Sequence, residues 1–261
     1  MKPLINKTAF VSGGSKGIGY ACALRLAEGG ANVFLAASNE DRLKRASEQI
    51  STQTGVETRF HAADLRQLEG CTEAVAALME GFGGCDILVN SAGATKGGIF
   101  PDQPDEEMVD GFALKFHAAV RLCRLLWPEL KKAKGCVVNV VGGFARTPMS
   151  DFMVGGAVNA ALANFSKALA NQGLKDDVNV NWVHPGLTET ERLQSIFELR
   201  AQQQNRTVDE IREATVTAEG LRRLGRPEDV SELVAFLCSP QARHVHGTGI
   251  AVDGGGSKGY Y

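Results

Sequence analysis

The sequence predicts an α/β fold, a doubly wound parallel sheet of about seven strands with helices on both faces. Three observations carry this. Short β-rich runs alternate with helical patterns from end to end. Several of the runs are continuously apolar, as strands covered on both faces must be. A glycine triplet, Gly13, Gly17 and Gly19, stands between the first strand and the first helix. In chain order the candidate strands are Thr8–Ser12, Asn32–Ala37, Glu57–Ala62, Ile87–Asn90, Cys136–Val141, Asn179–Val183 and Gly249–Val252. Helical periodicity fills the intervals at Gly17–Glu28, Asp41–Gln53, Leu68–Glu80, Gly111–Lys132 and Val154–Gln172. The crossovers are expected to be right-handed.

No linker or internal repeat divides residues 1–261, so one dinucleotide-binding domain is expected. Residues 188–224 interrupt the rhythm with a strand-free, Gln-, Arg- and Glu-rich stretch, in which Thr207-x-x-Glu210 reads as a capping box. An excursion of that length, after the sixth strand, is expected to be a helical lid over the substrate.

Composition narrows the function classes. A net charge of −2 with interspersed charges gives no field for nucleic acid or an anionic membrane surface. No apolar stretch reaches membrane-spanning length, and MKPLINKTAF lacks a signal peptide's apolar core, so a cytoplasmic protein is expected. The six cysteines, Cys22, Cys71, Cys85, Cys123, Cys136 and Cys238, show no C-x-x-C pair and no His at metal spacing. They are expected to be buried and inert, with no metal site.

Gly13, Gly17 and Gly19 let the backbone turn tightly and approach a pyrophosphate, while the helix they open offers unpaired N–H groups to it. Their strand–turn–helix setting is that of a Rossmann-type dinucleotide site. At the end of the second strand Ala37 stands where an acid would bind the ribose hydroxyls and repel a 2′-phosphate. Lys16 supplies positive charge nearby, and Ser38 and Asn39 supply donors. This favours NADP(H), with NAD(H) as the alternative.

Further motifs extend over the whole chain: Asp64 after strand three, Asn90-Ser91-Ala92-Gly93 after strand four, Pro185-Gly186 with Thr190 after strand six, then Gly225-Arg226-Pro227-Glu228-Asp229-Val230 and Val252-Asp253-Gly254-Gly255. With the G-x-x-x-G-x-G loop they resemble the short-chain dehydrogenase/reductase family. The resemblance implies cofactor contacts from Gly13, Ser15, Lys16, Gly17, Ile18, Gly19, Ser38, Asn39, Asp64, Leu65, Asn90, Ser91, Ala92, Gly93, Asn159, Pro185, Gly186 and Thr190. It also implies a small-molecule substrate and a homodimer or homotetramer built on the two long helices.

The same resemblance exposes a departure. The family uses Tyr as the proton donor, Lys to depress the Tyr pKa and hold the ribose, Ser to bind the substrate oxygen, and an upstream Asn to hold a relay water. Here Gly142, Gly155 and Asn159 fall at the Ser, Tyr and Lys positions, and Leu114 is aligned with the Asn. The only tyrosines are Tyr20, Tyr260 and Tyr261. Loss of a positioned proton donor removes about 10²–10⁴-fold of rate. Two large-to-Gly replacements are expected to widen the pocket, and Asn159 is expected to reach the ribose without supplying the lysine's charge. Substitute groups are sought in Ser150, Asp151 and His184, with Arg146 as an anion holder and His117 as a weaker candidate. Three functions stay open. The favoured one is an NAD(P)-dependent oxidoreductase working without the usual Tyr, on iminium-like or conjugated substrates. The others are a non-catalytic cofactor-binding or scaffold subunit, and a non-redox lyase or isomerase.

Overall fold

The computed structural model describes residues 2–258; Tyr260 and Tyr261 lie outside them. Seven strands, β1 (Thr8–Ser12), β2 (Asn32–Ala37), β3 (Thr58–Ala62), β4 (Ile87–Asn90), β5 (Cys136–Val140), β6 (Asn179–Pro185) and β7 (Gly249–Val252), form one sheet in the order β3-β2-β1-β4-β5-β6-β7. Every pairing is parallel. The central strands are buried throughout while edge strand β3 is only half-buried, which is why the apolar runs are unbroken in the middle and mixed at that edge.

Alternate residues of each strand feed two cores. On one face Ala9, Val11, Val33, Leu35 and Val89 pack with Leu26 of α1 (Gly17–Glu28), Leu43 and Ile50 of α2 (Glu40–Thr54) and Val234 of α9 (Pro227–Leu237). On the other, Phe10, Phe34 and Leu88 meet Leu78 of α3 (Leu68–Phe82), Leu122 and Leu126 of α5 (Ala118–Ala133) and Ala170 of α6 (Met153–Asp176). The order of winding reverses between β1 and β4, and the crevice at such a switch point, outside the carboxyl ends of the strands, is where open α/β sheets take their ligands.

Several bounds shift by one to four residues, α9 was not among the expected helices, and two further differences bear on the site. The single helix expected over Gly111–Lys132 is three pieces: α4 (Asp105–Gly111), a π-helical turn over Phe112–His117, and α5. The start was missed because Asp105, Glu106 and Glu107 carry no apolar periodicity; they suit the positive end of a helix instead. In addition, β6 runs on to Pro185, paired with Val252.

Residues 188–224 hold α7 (Glu191–Gln204) and α8 (Val208–Glu219), the latter opened by the Thr207/Glu210 capping box. Leu193, Phe197, Ala201, Ile211 and Leu224 give this excursion its own small core. Its ends are stitched together: the Gly225 amide donates to Leu187 and the Glu189 amide to Gly225, each at 2.8 Å. It therefore stands on a narrow neck.

All six cysteines are buried and free. Burial pushes the thiols of Cys22 and Cys123 up to about 12 and that of Cys71 to about 11. An aromatic disulfide reagent is therefore expected to label no cysteine at pH 8 in the native protein and all six after denaturation. Rapid labelling of the native protein would contradict these positions. Among the described residues no cluster of metal-ligating side chains forms, and no helix is long and apolar enough to cross a membrane.

Candidate active site

The glycine loop is a cradle with no room for a side chain at Gly13 or Gly19. Gly13 (φ 68°) packs so closely on the β4 loop that a Cβ would lie 2.9 Å from Ala92, and a Cβ on Gly19 would overlap the Gly13 carbonyl oxygen. No side chain caps α1, so its first amides, at Gly17, Ile18 and Gly19, face the crevice. The Ser12 hydroxyl accepts from the Ser91 and Ala92 amides (3.1 and 3.2 Å), which fixes the β4 loop beside the cradle. Sequence reading missed Ser12 because its role is to hold another loop. This open helix end and Cβ-free cradle fit a dinucleotide pyrophosphate.

Beyond β2, Ser38 and Asn39 are exposed, and the Asn39 Oδ1 caps α2 by accepting from the Arg42 amide. Lys16 and Arg42 converge on one oxygen: Glu191 Oε2, at the start of α7, accepts from Lys16 Nζ at 2.9 Å and from Arg42 Nη1 at 3.3 Å. These cations hold the Glu191 carboxyl below the usual carboxylate range. Arg42 was not singled out from sequence. Asp64 accepts from the Arg66 amide and side chain, and Leu65 is a core residue. On the far side Thr190 caps α7 and lays its methyl group toward Gly17, while Pro185 and Gly186 sit against the turn after β7.

Asn90 serves partly as a brace. Its Nδ2 donates to Asn139 Oδ1 (2.9 Å), Asn139 Nδ2 donates to Ser166 Oγ (2.8 Å), and the Ser166 hydroxyl bonds the Leu162 carbonyl. This buried chain ties β4, β5 and α6 together. The Asn90 Oδ1 and Asn159 Oδ1 are buried acceptors without a protein donor. Such atoms are costly unless something donates to them, and Asn159 stands beside Gly142.

The expected widening of the pocket is not found. A Cβ on Gly155 would overlap the edge of the Phe152 ring, so Phe152 occupies the room that the glycine vacates, and it packs on Phe144 at 5.0 Å between ring centres. Gly142 has φ 125°, a conformation other residues rarely adopt, and the Asn159 carboxamide lies 3.1 Å from where its Cβ would be.

Leu114 does not face the site either. It packs into the core beneath β4 and β5, and the next residue, Lys115, points to the crevice. Lys115 lies along Gly93 and its Nζ donates to the Val141 carbonyl. Burial, and secondarily Arg192, push the amine's pKa down to about 7. A lone lysine inside the apolar run Phe112–Phe116 was the available signal.

The substitute candidates are dispersed. Ser150 and Asp151 are exposed on the loop before α6, where the Asp151 carbonyl accepts from the Gly98 amide; α6 is capped by neither side chain, since its N-cap is Phe152. His184 is buried with both ring nitrogens engaged: Trp182 Nε1 donates to Nε2 at 3.0 Å, so Nδ1 donates to the Gly142 carbonyl at 2.9 Å. Burial lowers its pKa and keeps it neutral. It props the Gly142 turn from below and leaves no ring nitrogen for a substrate. Arg146 bonds the Gly249 carbonyl, and His117 is exposed.

A family model described as enoyl-(acyl carrier protein) reductase matches residues 13–257. The chain is 33% identical to the uncharacterized oxidoreductase YvaG of Bacillus subtilis, over 97% of this chain and 96% of that protein. It is 32% identical to the 3-oxoacyl-[acyl-carrier-protein] reductase FabG of Vibrio cholerae, over 97% and 98%. The structure superimposes on L-sorbose reductase from Gluconobacter frateurii, complexed with NADPH and L-sorbose, with a TM-score of 0.95 at 30% identity, covering 99% of both chains.

Proposed function

The chain belongs to the short-chain dehydrogenase/reductase family, and from that premise we propose that it is an NADP(H)-dependent oxidoreductase of small-molecule substrates that works without the family's Tyr. The observation that carries the cofactor choice is the convergence of Lys16 and Arg42 on a single carboxylate oxygen, next to a β2 end that carries no acid at Ala37. Glu191 holds the two cations side by side, and a ribose 2′-phosphate that displaced its carboxylate would meet both; that phosphate is the anion that separates NADP(H) from NAD(H).

A bound nicotinamide supplies or accepts a hydride. The chain's residues do the rest. The Gly13–Gly19 cradle and the open end of α1 hold the pyrophosphate. Asn159 Oδ1, and Asn90 Oδ1 below it, offer acceptors to ribose hydroxyl and amide donors. Arg192, whose guanidinium donates to the Thr95 carbonyl, ties α7 across the crevice to the β4 loop, so the 188–224 excursion acts as a lid that excludes water. Gly142, Gly155 and Asn159 in place of Ser, Tyr and Lys leave the chemistry to another group.

Titration calorimetry tests the cofactor choice. NADPH is expected to bind about tenfold or more tightly than NADH, and Arg42→Ala to erase most of that difference, since one charge-assisted contact contributes about 1.5–3 kcal/mol. Equal affinities in the unmodified protein would overturn it. Turnover is tested with ketones, imines and conjugated enones. Tight NADPH binding with no turnover would favour a non-catalytic subunit, a reading supported by the Phe152 ring standing where the Tyr would be.

A further inference from the structure

Lys115 is an amine with no acid beside it. Its alkyl chain lies along Gly93 at the carboxyl end of β4, and its ammonium donates to Val141 just past β5. Those strands are adjacent, with Asn90 opposite Asn139, so the amine stands in the crevice where the sheet binds its ligands. An ammonium has three protons, and Val141 takes one.

The charged and titratable groups that act on it are Arg192 from α7 and, more weakly, His184 from β6, which Arg146 from the turn after β5 faces in turn. The nearby acids are turned elsewhere: Asp110 and Glu107 of α4 pair with Arg66 and Lys96, and Asp253 accepts from the Gly255 and Ser257 amides. From α6 the site receives only the neutral Asn159. The family's lysine and asparagine have in effect exchanged helices.

Resting on the oxidoreductase reading, we propose that Lys115 is the catalytic acid and base of this site, giving a proton to the substrate oxygen in reduction and taking it back in oxidation. In reduction the carbonyl carbon gains the hydride, the C=O π bond breaks, and its electron pair takes a proton from Lys115 Nζ. The products are an alcohol, the oxidised nicotinamide and a neutral amine, which regains its proton from water. A group titrating near the working pH is the most effective for such a transfer.

The test compares the unmodified protein with Lys115→Met and Lys115→Arg. For the unmodified protein, kcat/KM for reduction is expected to be level below about pH 7 and to fall tenfold per pH unit above it, because the ammonium is the donor. Arginine keeps the charge and gives up no proton. Both variants are therefore expected to lose about 10²–10⁴-fold in kcat and to lose the pH limb, with NADPH binding retained. Two readouts need no turnover. In cofactor-free, 13C-lysine-labelled protein, one side-chain resonance should titrate near pH 7 and be missing from Lys115→Met. Also, the unfolded amine titrates near ~10.4, so the unfolded chain binds the extra proton between about pH 7 and ~10.4. Stability should therefore rise with pH across that window, and in Lys115→Met that slope should vanish and the neutral-pH Tm rise.

Full activity in Lys115→Arg would reduce Lys115 to a charge that positions substrate, and an unchanged pH limb in Lys115→Met would overturn the proposal outright. If the unmodified protein binds no dinucleotide, or binds it and reduces nothing in the panel, the oxidoreductase reading itself fails and this proposal falls with it. Turnover retained in both variants removes only the role of Lys115.

Discussion

Gly155→Tyr is expected to destabilise the protein by about 3 kcal/mol, roughly 6–12 °C in Tm, and to bring no gain in activity. The reason is steric. The first atom of the new side chain would overlap the Phe152 ring, which is wedged against Phe144 and begins α6. Neither the ring nor the helix start can yield without losing that aromatic pair. Phe152→Ala combined with Gly155→Tyr opens the space, and the double variant is expected to recover most of the lost Tm. Thermal unfolding of the two single variants and the double variant decides it, and additive losses would show that the ring and the glycine do not share this space. Gly142→Ser meets a second obstacle, because its backbone sits at φ 125° and Asn159 leans over it. The three positions interlock, so single reversions toward the family's residues are each disfavoured.

Gly19→Ala is expected to weaken NADPH binding by about 10–100-fold, the equivalent of roughly 1–3 kcal/mol of forced displacement. A methyl group there would overlap the Gly13 carbonyl oxygen, and Gly13 is itself pressed against Ala92. Relief requires the loop to move off the β4 turn, which would pull the open amides of α1 away from the pyrophosphate. Calorimetry with NADPH checks this directly. Binding equal to that of the unmodified protein would show that the cradle tolerates a side chain and does not contact the phosphates.

The sheet was legible because its signal is collective: seven β-rich runs, several of them wholly apolar, agree with the glycine punctuation and the helical periods, and tertiary contacts do not contradict them. The cradle was legible for the same reason, since strand, turn and helix are contiguous. The chemistry was not. Lys115, which lies along Gly93 and bonds Val141 while Leu114 packs into the core, was not singled out, because it lies in a π turn that no proline or glycine within it announces. The filling of the Gly155 space by Phe152 depends on the N-cap residue of α6 and on Phe144 in the turn after β5, where helical periodicity carries no information. Likewise, the Arg42 contribution arises only when α2 and α7 meet across the glycine loop.

The π turn also sets how such a site is gained and lost. A π turn holds one residue more per hydrogen-bonded turn than an α turn, so a single-residue deletion within Phe112–His117 would let the segment wind as regular α-helix and redirect the side chains inside it. Lys115 would swing from the crevice toward the core or the solvent, with every flanking side chain chemically unchanged. The functional identity of the segment is thus encoded in chain length as much as in residue type. Within a family of relatives, an insertion or deletion here would be a more consequential event than most substitutions.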